Sequence, residues 1–378
     1  MTNTFNISLQ WVAETKTVGW GTLPTGNDIS IGTDLIAWKK FQYLLKKSVV
    51  PGKLYSTNIV STYSLVYTDS VAYSGGVIAP NGDIHFVPAN ANRGQKISES
   101  GVVSTYSLVY TTTDAYAGGV LAPTGEIHFI PGSANRGQKI SPDGVVSTYS
   151  LAYTTANAYS GGVLAPNGDI HFIPYVANRG QKIVFTTGLP TTYSLVYTTS
   201  TAYTGGVLAP NGDIHFIPRS ADRGQKISAS GVVSTYSLVY TTTDAYAGGV
   251  LAPNGDIHFV PYLADRGQKI DFTTGLATTY SLVYTSASGA YAGGVLAPNG
   301  DIHFIPNVAA VGQKISASGV VSTYSLVYTA FGAYVGGILQ PNGEIHFIPR
   351  GANRGQKIST MSHPFDAGIV LSPWLNKF

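Results

Sequence analysis

The sequence contains no cysteine, which excludes disulfides, thiolate metal sites and cysteine nucleophiles and leaves packing to stabilise the fold. Charge is also scarce: only 11% of the 378 residues are Asp, Glu, Lys or Arg, and the formal net charge is +3. That is too little to suggest nucleic acid as a partner. No stretch approaches the roughly 18 continuous apolar residues of a membrane span. The opening MTNTFNISLQWVAETK has no basic stretch followed by an apolar run, so the expectation is no signal peptide and synthesis in the cytosol. A phosphate-binding glycine loop, a G-x-S-x-G elbow, an H-E-x-x-H helix and an EF-hand loop are all missing, and with them the usual sequence support for hydrolase or metalloenzyme chemistry. What is abundant is glycine (44 residues) and tyrosine (25), within a chain that is 44% hydrophobic. This profile favours short strands joined by tight turns.

The pattern D/E-I-H-F-I/V-P recurs seven times, with histidines at His85, His128, His171, His215, His258, His303 and His346. The spacings are 43, 43, 44, 43, 45 and 43 residues, the length of one four-stranded propeller blade. In one unit, Ser104 to Thr111 alternates polar and apolar side chains, Ala117 to Pro123 is short and apolar, Glu126 to Pro131 follows a Thr-Gly turn, and Gly137 to Ser141 supplies one more strand. The fold expected is all-β: a seven-bladed propeller of four-stranded antiparallel blades over residues 59–360. Ordered as GGVLAP, DIHFIP, GQKIS and STYSLVY, the last copy lacks its fourth strand, whereas an unattached copy at Ser61 to Tyr67 precedes the first. Pairing the two would close the ring and remove its open edge. Eight blades are the second choice, because Gly52 to Ser56 and Ala367 to Pro373 resemble repeat fragments.

Residues 1–58 differ in kind and hold the whole charge excess, six lysines against three acids, while the remainder carries sixteen of each sign. A small α+β segment is expected there: a strand at Phe5 to Val12 and an amphipathic helix over residues 34–47 that presents Leu35, Trp38, Phe41 and Leu45 on one side. That helix either packs on the propeller, docks a partner protein or lies on a membrane surface; Trp38, Phe41 and Leu45, with Trp374 of the tail 361–378, are the docking candidates.

Within each repeat the acid and the histidine lie two apart and share one face of a strand. The seven histidines are read as structural inter-blade residues, with a metal or ligand role as the alternative. Arg-Gly-Gln-Lys occurs in six copies, with Val311 replacing arginine in the sixth; inter-blade salt bridges are expected from these bases. The residue after the I-H-F-I/V-P strand varies: Ala89, Gly132, Tyr175, Arg219, Tyr262, Asn307 and Arg350 in turn. Variable loops on a fixed frame are where recognition resides, so Tyr175, Arg219, Tyr262, Asn307 and Arg350 are the candidate binding residues, against drift at an exposed turn. No catalytic residue, metal or cofactor is assigned. The repetition itself argues against an enzyme, since an active site needs an asymmetric constellation.

The unit GGVLAPNGDIHFIP with its trailing GQKIS resembles the propeller repeats of bacterial and phage-encoded proteins, and its blade pattern is similar to that of tachylectin-type lectins, down to GKLY at Gly52 to Tyr55. The regular blade tryptophan of those lectins is absent. The resemblance implies the propeller architecture over residues 59–359. Together with the near-identity of the copies and the non-repeat N-terminal segment, it leads to the expectation of a non-enzymatic structural or adhesion protein of a phage virion, assembled in the host cytoplasm. Its partners would be other virion proteins, reached through residues 1–58 and the tail, and cell-surface glycans. A multivalent carbohydrate-binding lectin is the alternative.

Overall fold

The computed structural model describes residues 59–360, together with the backbone of two short strands, β1 (Ser8–Trp11) and β2 (Val18–Gly21). The chain divides into two units, residues 1–45 and 46–378. In the first, β1 and β2 pair antiparallel with Leu9 opposite Trp20. The helix expected over 34–47 with Trp38, Phe41 and Leu45, and the tail with Trp374, lie outside the described residues.

Each repeat of the second unit forms one four-stranded antiparallel sheet. In the first blade β4 (Tyr73–Ile78), β5 (Ile84–Pro88), β6 (Arg93–Ile97) and β7 (Val103–Ser107) lie side by side in chain order. Strands β8 to β27, from Tyr116 to Ser325, repeat this arrangement five times. The seventh blade has β28 (Tyr334–Leu339), β29 (Glu344–Pro349) and β30 (Arg354–Ser359), and its outer strand is β3 (Ile59–Ser64) from the start of the repeat region. Ile59 lies opposite Ser359 and Ser64 opposite Arg354. The stray leading copy therefore closes the ring at seven blades, and β28 packs against β4 as every inner strand packs against the next. The fragments on which an eighth blade rested lie outside the described residues.

The local chemistry explains the blade. In the turn between β4 and β5, the Gly82 N–H donates to the Ala79 carbonyl at 3.0 Å, and Gly82 takes φ +87°, a left-handed conformation that costs glycine little. The Asn81 side chain accepts the Asp83 N–H at 3.1 Å and locks the turn. At the axis the paired glycines serve two steric needs. A Cβ on Gly293 would come 2.7 Å from the Gly336 Cα of the next blade, and one on Gly119 would come 2.6 Å from Val77 of the preceding blade. Only bare backbone lets seven inner strands converge.

The core lies between blades. Tyr73 and Phe86 of the first blade, whose ring centroids are 5.2 Å apart, pack with Ile338 and Ile348 of the seventh, and six further clusters repeat this around the ring.

Candidate functional site

Three copy-invariant contacts hold the frame. Gln95 is fully buried, and its Oε1 accepts the backbone N–H groups of Val66 and Tyr67 at 3.0 and 2.8 Å, on the segment passing from the seventh blade to the first. Each repeat has the same pair of bonds, for example Gln225 with Val196 and Tyr197. Beside it the Tyr106 ring packs on Gly94, where a Cβ would overlap the ring carbons, and the Tyr106 hydroxyl meets His85 Nδ1 at 3.2 Å. All seven histidines make this bond to the outer-strand tyrosine of their own blade. Burial, assisted by the neighbouring lysine, holds the His85, His171, His215, His258 and His303 imidazoles down at about 4. Burial likewise holds His128 at about 4 and pushes His346 down, with a glutamate opposing each. They are neutral at pH 7. His215 also lines, with Phe272 and Gly255 of the next blade, a cavity of about 90 Å³. Among the described residues no three His, Asp or Glu side chains are grouped to hold a metal ion.

The lysines of the repeat do not make the expected inter-blade salt bridges; each pairs with the acid of its own blade. Lys96 Nζ meets Asp83 at 2.8 Å and Lys314 meets Asp301 at 2.6 Å, each within its own blade. The register explains it: Lys96 lies opposite His85, so it shares a sheet face with the acid two residues earlier. The arginines instead stack on tyrosines of the passing segment, from Arg136 over Tyr110 at 4.9 Å to Arg93 over Tyr67 at 5.3 Å.

Strand direction sorts these charges. The turns 79–83 and 98–102 and their equivalents open on one face of the ring; the loops 89–92 and 108–115 and their equivalents open on the other. Among the described residues every lysine lies toward the first face and every arginine on the second. The arginine face carries eight arginines against Asp69, Asp114, Asp222, Asp244 and Asp265, a formal +3. The lysine face carries seven lysines against ten carboxylates, a formal −3. Balance over the whole repeat region therefore hides two faces of opposite sign.

The variable loop residues all lie on the arginine face, next to the axis, where the Ala89 carbonyl accepts the Ala115 N–H of the next blade at 2.9 Å. Three of the candidates come together. The Arg219 guanidinium sits 5.5 Å from the ring centroids of both Tyr175 and Tyr262, and its Nε donates to Asp244 at 2.5 Å. Tyr262 in turn lies against Gly289, where any side chain would strike its ring. Asn307 is 4% exposed and donates from Nδ2 to the Gly289 carbonyl at 3.1 Å, so it joins loops rather than facing solvent. Arg350 is exposed. The site residue that the sequence reading passed over is Phe331, 81% exposed on the loop leading into the seventh inner strand. Comparing copies at that position would have found it, since the others are Ser70, Thr113, Ala156, Ser200, Thr243 and Ser288.

No protein-family model matches the chain, and no match is found among curated proteins. Its fold is similar to solved structures. A streptogramin B lyase superposes with a TM-score of 0.69 at 22% identity, covering 81% of this chain and 99% of that one. A catalytically inactive histidine-to-alanine variant of virginiamycin B lyase from Staphylococcus aureus, with quinupristin, gives 0.70 at 20% identity, covering 80% and 100%. The WD40 β-propeller domain of Doa1 gives 0.59 at 13%, covering 82% and 99%. Likeness at this identity establishes the fold alone. It nevertheless corrects the expectation that the chain cannot be an enzyme. That expectation rested on repetition, and lyases with this fold show that a ring of repeated sheets accommodates a catalytic site.

Proposed function

We propose that the ring is a recognition scaffold that binds its target on the arginine face, over the third to seventh blades. The observation that carries this reading is the Tyr175–Arg219–Tyr262 stack. Three successive copies depart from the small residues Ala89 and Gly132 of the first two, and their side chains meet in one cluster. Rigid aromatic rings around an arginine are favoured contact chemistry. The chain also enters the ring at Ile59 and leaves it at Thr360, both at the lysine face, where Thr360 donates to the Gly343 carbonyl. The covalent attachments are thus opposite the cluster. The proposal concerns binding and applies whether or not the bound ligand is then transformed.

As the setting we propose attachment of a virus particle to its host, with residues 1–58 and 361–378 joined to other particle proteins. Near-identity of the copies and the separate character of residues 1–58 support this setting. The test compares the wild-type chain with Tyr175→Ala, Arg219→Ala and Tyr262→Ala for binding to intact bacterial cells and to a glycan array. Alanine is the natural residue of the first copy at this position, so the variants keep the fold. Binding at least about tenfold weaker, with an unfolding midpoint within a few degrees of wild type, is the expected outcome. Unchanged binding in all three variants overturns the proposal.

A multivalent lectin is the second reading, favoured by the inter-blade cavity at His215 and Phe272. It requires several sugars bound per chain and loss of one of them in Phe272→Ala.

A further inference from the structure

The arginine face carries a second departure from symmetry beside the tyrosine cluster. In six blades an Asn-Arg or Asp-Arg pair opens the third strand, and the arginine covers the tyrosine of the passing segment. The sixth blade has Ala310 and Val311 instead, so no arginine lies over Tyr284. Among the described residues the only exposed phenylalanine of this face stands in the adjoining loop: the Ala333 N–H donates to the Asn307 carbonyl at 3.1 Å, which holds the loop of Phe331 beside Asn307 and Val308. Phe331 is 81% exposed, Val283 is 62% exposed, and Val308 and Val311 are half-buried. Every other blade carries an arginine where this sector has Val311 and a Ser, Thr or Ala where it has Phe331, whereas the exposed valine at 283 recurs in most blades.

The sector is bracketed by cations. Arg266, which also pairs with Asp265 at 2.9 Å, belongs to the blade before it, and Arg350 and Arg354 to the blade after it, on a face with a formal charge of +3. An uncharged apolar ligand would leave those guanidinium groups unused, and a basic one would be repelled by them. Isolated exposed apolar side chains are ordinary; a group of them at the one place where a repeated charge has been removed marks an interaction site. We propose that this sector docks a protein segment whose carboxylates flank an aliphatic or aromatic side chain. The apolar side chain packs against Phe331 and Val308, and the carboxylates face Arg266, Arg350 and Arg354. The inference rests on the reading of the arginine face as the recognition face and specifies the chemistry of its partner.

The probe is a fluorescein-labelled peptide, Glu-Asp-Leu-Phe-Asp-Glu, titrated with the full chain and followed by anisotropy at low salt. Its controls are Lys-Lys-Leu-Phe-Lys-Lys and Glu-Asp-Ser-Ser-Asp-Glu. The acidic peptide with the apolar centre is expected to bind at least about tenfold more tightly than either control, and to weaken as ionic strength is raised to about 0.15 M. Phe331→Ser and Val308→Asn should each remove most of that binding. Both substitutions restore residues that other copies carry, Ser at 70, 200 and 288 and Asn at 90, so neither threatens the fold. Val102→Ser on the lysine face should change nothing. Equal binding of the basic peptide, or acidic-peptide binding that survives Phe331→Ser, overturns the inference. So does a concentration-dependent self-association in sedimentation that Phe331→Ser abolishes, because the occupant would then be a second copy. If the acidic peptide fails while the Tyr175, Arg219 and Tyr262 variants still abolish cell or glycan binding, this inference falls and the recognition face stands.

Discussion

The interior of the blades and the loops of the arginine face belong to the same repeat and behave in opposite ways. In the interior the glutamine, the tyrosine on its glycine and the histidine recur in all seven copies; in the loops a single position runs through Ala89, Gly132, Tyr175, Arg219, Tyr262, Asn307 and Arg350. The contacts account for the difference. Gln225 satisfies two backbone N–H groups of a neighbouring segment, and no other side chain of that length presents a neutral acceptor there without stranding its own charge. At the loop position the backbone does the joining, as when the Arg219 carbonyl accepts the Ala245 N–H at 2.7 Å, so the side chain is free to differ. A ring can therefore be symmetric in what holds it together and asymmetric in what it presents.

Acid should test the interior most severely. The histidines titrate near 6.5 in the unfolded chain, and six of them near 4 in the ring. Between those values the unfolded chain binds more protons, so stability rises with pH; it is complete above 6.5 and drains away as pH falls toward 4. One such histidine contributes a slope of at most about 1.4 kcal/mol per pH unit. Several acting together should give a steeper loss, read from denaturant midpoints at successive pH values, and a flat profile down to pH 4 would show that the imidazoles are not buried neutral.

Gly293→Val comes next, at about 4 kcal/mol, because it combines a Cβ pressed on the Gly336 backbone with a residue at φ +109°. Gln225→Ala follows at about 2–3 kcal/mol, through two backbone N–H groups that lose their acceptor and the space left by a fully buried side chain. Arg223→Ala, which removes an exposed guanidinium stacked 5.0 Å from Tyr197, should leave the unfolding midpoint within about two degrees of wild type. Should Gln225→Ala prove as mild as Arg223→Ala in thermal unfolding, the contrast between a constrained interior and a permissive face would collapse.

Much of this was legible beforehand. The period, the four strands, the count of seven and closure by the leading copy all follow from chain-local patterns, and each is present. The lysine partners were misjudged because the strand order was known but the register was not; with Lys96 opposite His85, the acid of the same blade is nearer than any in the next. The argument from repetition against catalysis went wrong for a related reason. It treated identical strands as an identical surface, although the loops they carry differ from blade to blade.

By itself the sequence settled the blade and the number of blades, since hydrogen-bonded hairpins and their turns depend on residues close together in the chain. Only the closed ring decided which loops meet. Tyr175, Arg219 and Tyr262 are separated by whole repeats and become neighbours because seven inner strands converge on a glycine-lined axis, and the loop of Phe331 is tied to Asn307 for the same reason. The two kinds of base, evenly mixed along the chain, part to opposite faces and leave them with net charges of opposite sign, because strand direction places the start of each third strand at one face and its end at the other.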